Sequence, residues 1–327
     1  MGVALIGFET GDVQRACAGG RCEDAVGLLE RAVRQQPSNY ELFYWLGVCH
    51  SGGCRRHKLT DPDFALEYFQ RALHLAPEAD RLIRAAVLEE LANSCVTSRV
   101  LPRATAVRTA IECHRQAAEI YIGNRKLEDW ARQEFNLGNE FCDLSDLAGE
   151  DHCREAIFHY EEALKVRTRE RSPERHAAVL ENLGTAWRQL PSGDHTGNVR
   201  KSIRCYRQAL RVYGPGQPAR TAALHINLGN AFLSLPAVDE TASIRNARHA
   251  LKHFERALST PGCDREDRRY AINQHNRAQA HVRLANLEAA MDCLQEAFRV
   301  FVACGDDLYA GRVRSELASI HRMSKKR

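Results

Sequence analysis

The chain has 327 residues, of which 44% are hydrophobic, 27% are charged and ten are proline. This composition is typical of a folded, largely helical protein and excludes long disordered segments. The 46 basic and 42 acidic residues leave a net charge of +4, which gives no general electrostatic reason for nucleic-acid binding.

Two amphipathic helical motifs alternate along the chain. The first carries Leu or Arg followed by Gly or Ala, at 46–47, 91–92, 137–138, 183–184, 228–229, 277–278 and 317–318. The second carries small residues seven apart, at 25/32, 65/72, 110/117, 156/163, 202/209, 250/257 and 290/297. Residues seven apart lie on one helix face, where small side chains let a neighbouring helix approach closely. The pattern predicts a stack of helical hairpins.

Loop residues between the motifs set the predicted boundaries. Residues 1–36 predict a degenerate first hairpin without the Leu-Gly pair. Further hairpins are predicted at about 38–76, 80–122, 126–168, 173–213, 218–259 and 266–303, followed by a capping helix at 306–324. Asp61 before Pro62 predicts a helix N-cap. Because a stack of hairpins builds its core repeat by repeat, we predict a single domain over 1–327.

The hairpins differ in length. Gly184 precedes Ser202 by eighteen residues, whereas Ala278 precedes Ala290 by twelve. Leu-Pro pairs at 101–102, 190–191 and 235–236 lie between the helices of three long hairpins. We therefore assign the six extra residues to the loops. In the last hairpin Arg277 replaces the core Leu, and its aliphatic stem is expected to run along the apolar seam.

The array resembles the tetratricopeptide repeat, whose signature is Leu-Gly in the first helix, Ala, an aromatic residue and Ala in the second, and then Pro. Ala65, Phe69, Ala72 and Pro77 match it closely. The period of about 45 residues resembles bacterial long-period arrays of this family. The resemblance implies an all-α, right-handed superhelical solenoid of about seven hairpins plus a C-terminal capping helix. It also implies a scaffold or adaptor that binds an extended peptide or a partner protein on its concave face.

A row of asparagines marks the candidate peptide-binding face. The residues directly before the first-helix pair are Asn136, Asn182, Asn227 and Asn276, and those three positions further on are Asn93, Asn139 and Asn230. An Asn side chain both donates and accepts hydrogen bonds, so it can hold a peptide backbone without selecting side chains. Arg132, one turn before Asn136, is a candidate partner for a ligand carboxylate. The alternative is that these asparagines are ordinary solvated residues.

Chaperone-binding arrays of the same family use a clamp of two Lys, two Asn and one Arg. The corresponding positions here hold Phe135, Asn139, Asn182, Ala223 and Asn227. The two Asn are kept, but every basic member is missing. The resemblance therefore argues against a chaperone C-terminal tail as the ligand.

Four of the twelve cysteines lie early in the chain, at Cys17, Cys22, Cys49 and Cys54. Four thiolates brought together by helix packing, with a histidine nearby, could hold a structural zinc ion. The default interpretation is that these thiols pack as small hydrophobic side chains. Disulfides are not expected in a reducing cytoplasm, and we predict no cofactor.

The sequence contains no phosphate-binding glycine loop, no nucleophile elbow and no His-Glu zinc helix, so we predict no enzymatic activity. The leading hypothesis is a protein-protein interaction scaffold or adaptor. The alternatives are a regulatory protein that binds nucleic acid or a small signalling peptide, and an enzyme accessory subunit with zinc on the N-terminal cysteines. Because no apolar stretch approaches about 18 residues and no signal peptide is evident, we expect a cytoplasmic protein without a membrane partner.

Overall fold

The computed structural model of the chain describes residues 22–51, 61–148, 151–260 and 266–324. These residues form fourteen α-helices and contain no β-strand. The helices cluster into two compact units, unit 1 over 1–166 and unit 2 over 167–327. The predicted all-α architecture of successive helical hairpins is confirmed. The single domain over 1–327 stays a prediction.

Unit 1 contains α1 (Cys22–Gln35), α2 (Tyr40–His50), α3 (Pro62–Leu75), α4 (Arg81–Thr97), α5 (Arg103–Gly123), α6 (Leu127–Ala148) and α7 (Cys153–Leu164). Three hairpins form as α2 packs on α3, α4 on α5 and α6 on α7. The small residues of the second helices, including Ala65, Ala110 and Ala156, have no exposed surface. Their burial allows the close helix contacts that the sevenfold spacing predicts.

Unit 2 contains α8 (Pro173–Gln189), α9 (His195–Tyr213), α10 (Pro218–Ser234), α11 (Glu240–Leu258), α12 (Arg268–Arg283), α13 (Leu287–Ala303) and α14 (Asp307–Ser324). Its hairpins are α8 with α9, α10 with α11 and α12 with α13, and α14 packs on α13. Val313 and Ile320 of α14 are buried in one cluster with Ala297 and Phe301 of α13. The last helix therefore covers the apolar side of the final hairpin, as expected of a capping helix.

Short polar side chains cap the N-termini of several helices. Asp61 accepts a hydrogen bond from the backbone N–H of Asp63 at 3.0 Å, which confirms the N-cap before Pro62. Asn286 caps α13 through the N–H of Ala289 at 3.3 Å. These bonds satisfy backbone donors that have no partner inside the helix.

In the α8–α9 hairpin the extra residues lie mainly in helix, so their assignment to the loop was wrong there. The connection between α8 and α9 is 190–194, only two residues longer than 284–286 between α12 and α13. The helix α9 begins seven residues before Ser202, whereas α13 begins three residues before Ala290. Buried Asn198 of this added turn donates to the carbonyl of Ser192 at 3.0 Å. The turn is therefore tied to the Leu-Pro loop, and helix formation satisfies backbone groups that a longer loop would leave to water.

In four hairpins the glycine of the first helix lies beneath an aromatic ring of the second. The pairs are Gly47 with Phe69, Gly138 with Tyr160, Gly184 with Tyr206 and Gly229 with Phe254. A Cβ atom on Gly229 would lie 2.6 Å from Cζ of the fully buried Phe254 ring. Favourable carbon contacts lie near about 3.5–4.0 Å, so even a methyl group does not fit. Where the ring position holds Leu294, the first helix carries Ala278, and both are buried in one cluster.

Two equivalent repeat positions hold different residues in two hairpins of unit 2. In the α8–α9 hairpin the pair is Leu180 and Cys205, whereas the α10–α11 hairpin has His225 and His253. The two Nδ1 atoms of the histidines lie 3.0 Å apart. Burial, followed by the charges of His225, Arg256, Arg207 and His249, lowers the pKa of His253 to about 4. Both histidines are therefore neutral at physiological pH, as their depressed pKa values require.

Candidate protein-binding groove

The first helices of the three hairpins in unit 2 meet around a cavity of about 650 Å³. We call this cavity the inner groove; it is lined by Glu181, Pro218, Ala219, Arg220, Ala222, Ala223, Ile226, Asn227, Ala257, Thr260, Asp267, Arg269, Tyr270, Ile272 and Asn273. The volume lies within the range of about 300–1,000 Å³ typical of ligand clefts. The floor of small alanines leaves space above α10 that larger residues would fill.

The predicted asparagines of unit 2 occupy different places relative to the groove. Asn227 lies in its lining and is half-buried. Asn182 and Asn276 are also half-buried, but neither lines the cavity. Asn230, one turn after Asn227, is half-buried outside it as well. The structure thus brings one member of the predicted row into the cavity and leaves the others beside it.

A buried acceptor in the groove was not identified from the sequence. Asn273 of α12 is 2% exposed, and its Nδ2 donates to the carbonyl of Phe254 at 3.1 Å. Its Oδ1 accepts no hydrogen bond from any described residue. A buried polar atom without a partner costs free energy of about 1–3 kcal/mol.

The groove carries both signs of charge. Burial raises the pKa of Glu181, and the positive charge of Arg220 opposes that rise. The Arg220 guanidinium in turn donates to the hydroxyl of Tyr213 at 3.0 Å and lies over its ring. With Asp267 and Arg269 also in the lining, two acids face two bases. The groove therefore has no net charge of its own to select a strongly charged ligand.

Helical periodicity could have identified part of this lining. Arg220, Ala223 and Asn227 lie at positions i, i+3 and i+7 of α10, which share one face. Working back from Asn227 would have found the other two. Asn273 gave no such signal, because its importance depends on the contact with Phe254 in another helix.

The predicted residues of unit 1 lie on α4 and α6. Arg132 forms a bidentate ion pair with Glu89, with Nε–Oε1 at 2.5 Å and Nη2–Oε2 at 2.8 Å. It also contacts Asp129 at 2.8 Å. Two carboxylates of the chain itself thus already neutralise the guanidinium that was a candidate for a ligand carboxylate.

The asparagines of unit 1 are also partly engaged. Asn139 accepts a hydrogen bond from the hydroxyl of Tyr160 at 2.8 Å. Asn136 is half-buried, and Asn93 is exposed and close enough to Glu90 to lower the pKa of that carboxyl, against the larger effect of burial. Asn139 therefore has a structural role in positioning the Tyr160 ring over the first helix.

Only part of the proposed cysteine site lies in the described residues. Cys49 is buried in the cluster that joins α1 and α2. Cys17 and Cys54 lie outside the described residues, as does the side chain of Cys22. Elsewhere, burial raises the pKa of Cys95 to about 11 and that of Cys113 to about 12. Those two thiols are protonated at neutral pH, which makes them poor nucleophiles.

No helix in the described ranges is both long enough and apolar enough to span a membrane. A tetratricopeptide-repeat family profile matches residues 13–51. No curated protein sequence matches the chain.

Solved structures with a similar fold cover nearly the whole chain. The C-terminal part of a TPR repeat-containing protein from Cytophaga hutchinsonii is 11% identical, with a TM-score of 0.57 over 89% of this chain and 95% of that one. A tetratricopeptide repeat protein from Parabacteroides merdae is 15% identical, with a TM-score of 0.55 over 95% and 96%. A signal-transduction ATPase with a tetratricopeptide repeat sensor, from Pyrococcus horikoshii, is 16% identical, with a TM-score of 0.55 over 91% and 44%. With the internal repeats and the helical hairpins, these matches show that the chain has a tetratricopeptide-repeat fold.

Proposed function

We propose that the protein is a non-enzymatic scaffold or adaptor that binds an extended segment of a partner protein in the inner groove. The tetratricopeptide-repeat fold supports a role in protein interaction in general. The observation that carries the more specific proposal is the cavity of about 650 Å³ whose lining contains the amide side chains of Asn227 and Asn273. A peptide backbone offers the donors and acceptors that the half-buried amide of Asn227 can bind.

The chemistry of the groove favours recognition of the peptide backbone. The amide of Asn227 can donate to a ligand carbonyl and accept from a ligand N–H. The alanines beside it leave room for the backbone to approach, and Tyr270 and Ile272 offer apolar contact to alternate side chains. Because the charges balance, side-chain charge contributes little to selection at this site. Asn182 of α8 and Asn276 of α12 hold the equivalent repeat positions outside the lining, where a ligand that extends beyond the cavity reaches them.

The test begins with a peptide selected from a random library displayed on phage and bound to the full-length protein. The double variant Asn182→Ala with Asn227→Ala should bind that peptide at least about tenfold more weakly, because each lost hydrogen bond costs about 1 kcal/mol or more. Its unfolding free energy should change by no more than about 0.5 kcal/mol per substitution, as is usual for polar surface positions. Binding is measured by fluorescence anisotropy and unfolding by circular dichroism in urea.

Two further variants define the surface. Ala223→Gln places a longer side chain on the groove floor and should also weaken binding, whereas Asn93→Ala removes an exposed asparagine of unit 1 and should not. Selected peptides that bind the double variant and Ala223→Gln as well as the wild type would show that another surface is used. A sharp loss of stability in the double variant would instead show that the asparagines hold neighbouring repeats together.

A further inference from the structure

A row of arginines runs along the exposed face of α9 in unit 2. Arg200, Arg204, Arg207 and Arg211 lie at i, i+4, i+7 and i+11, so they share one face over about 16 Å of helix. All four are exposed, and no described carboxylate forms an ion pair with any of them. With Lys201, α9 contains five cationic residues and no acidic one. The helix α9 thus carries a charge of +5 in a chain whose net charge is +4.

An apolar cavity lies along this arginine row. It measures about 450 Å³ and is lined by Arg200, Ile203, Arg204, Arg207, Gln208, Arg211, Phe232 and Leu235. Ile203 and Phe232 are each 7% exposed, so they form a floor rather than projecting into solvent. The space is sufficient for an apolar side chain from another molecule, with guanidinium groups around it.

We propose that the arginine row and this cavity form a second docking surface, which binds an acidic segment of a partner protein that carries an apolar side chain between its carboxylates. Guanidinium groups pair with carboxylates through two parallel hydrogen bonds. Four arginines one turn apart match carboxylates that repeat at a similar spacing, about 5.4 Å in a helix or 6.6 Å over two residues of a strand. The apolar side chain enters the cavity above Ile203 and Phe232.

The aromatic floor favours a protein segment over nucleic acid. Single-stranded nucleic acids bind proteins by stacking bases on aromatic rings. The Phe232 ring is already stacked with His249 at a centroid distance of 5.0 Å and with His253 at 5.6 Å, and Arg207 lies over it at 5.8 Å. With these neighbours the Phe232 ring can contact an aliphatic side chain, but its faces are not free to stack on a base.

The experiment uses a fluorescein-labelled sixteen-residue peptide made of four Glu-Leu-Glu-Glu repeats, with full-length protein at low salt. The charge-reversal variant Arg200→Glu with Arg204→Glu should bind it at least tenfold more weakly. The matched control, Arg171→Glu with Arg322→Glu, changes the net charge equally at exposed positions outside α9 and should stay within twofold. A peptide with Ser in place of Leu should bind more weakly, and a sixteen-nucleotide polyuridine RNA should bind more weakly still.

The outcomes separate this proposal from the inner groove. Asn182→Ala with Asn227→Ala should leave binding of the acidic peptide unchanged, because those residues are not part of the arginine row. Equal losses in the two charge-reversal variants would overturn the proposal, since they would indicate a general charge effect. It would also fail if the peptide did not bind, if the Ser peptide bound as tightly as the Leu peptide, or if the RNA bound more tightly than the peptide through the same arginines.

Discussion

The packing of Phe254 on Gly229 can be tested by the substitution Gly229→Ala, which adds a single methyl group beneath the ring. In a helix, Gly→Ala normally stabilises a protein by about 1 kcal/mol, because alanine has less backbone freedom to lose. At Gly229 the new Cβ would lie 2.6 and 2.7 Å from two atoms of a fully buried ring. Forcing extra volume into a packed core costs about 1–3 kcal/mol. Subtracting the helix gain from this cost, we expect Gly229→Ala to destabilise the protein by up to about 2 kcal/mol.

The last hairpin shows how the clash can be relieved, since it combines Ala278 with Leu294. Phe254→Leu alone should cost about 1 kcal/mol, as hydrophobic replacements of similar size do. In the double variant the leucine leaves space for the methyl group, so Gly229→Ala again stabilises the helix as alanine normally does. The two substitutions should therefore couple by about 2 kcal/mol, within the range found for residues in contact.

Gly311 provides the matched control in unit 2. It lies inside α14, and a Cβ atom there would have no neighbour within 4 Å among the described residues. Gly311→Ala should therefore stabilise its helix by about 1 kcal/mol. Because repeat proteins can unfold in stages, hydrogen exchange of α10 and α11, measured by mass spectrometry, complements urea unfolding. If Gly229→Ala stabilised the protein as Gly311→Ala does, the ring would not be the reason for glycine.

Two more predictions concern charge. The folded protein holds the pKa of His253 near 4, whereas an ordinary histidine has a pKa of 6.5. Between these pH values the unfolded chain therefore binds more protons than the folded one, so the unfolding free energy should fall as the pH drops from 6.5 to 4. The variant His225→Leu with His253→Cys carries the residues of the α8–α9 hairpin at these positions and should lose much of this pH dependence, measured by urea unfolding at several pH values. If its unfolding free energy changed with pH as steeply as that of the wild type, the histidine pair would not be the cause. Arg132→Leu leaves Glu89, with a side chain 14% exposed, without its bidentate partner, and should cost about 1–2 kcal/mol in urea unfolding. Arg103→Leu breaks a pair that is about half exposed and should cost less than about 1 kcal/mol; an equal loss in both variants would refute the importance of burial.

The candidate groove could be predicted only in part. Asn227 was identified because it recurs at a fixed place in the repeat, and it does line the cavity. Arg220 was accessible to the same reasoning through its spacing on α10. Asn273 was not, because its unpartnered oxygen is recognised only after its amide nitrogen has been placed on Phe254. Arg132 was assigned to a ligand because Glu89, 43 residues away, could not be paired with it from the sequence.

The sequence by itself determined the helices, their order and their pairing into hairpins. Those features depend on periodicities of three to seven residues and on short connections, which act locally along the chain. The tertiary structure decided which side chains meet. Examples are the aromatic rings that cover the four first-helix glycines, the neutral His225–His253 pair and the ion pair of Arg132 with Glu89. It also decided that the added residues lengthen α9 and that its arginines border an apolar cavity. These contacts join residues from different helices, so burial and distance, rather than local periodicity, determine their chemistry.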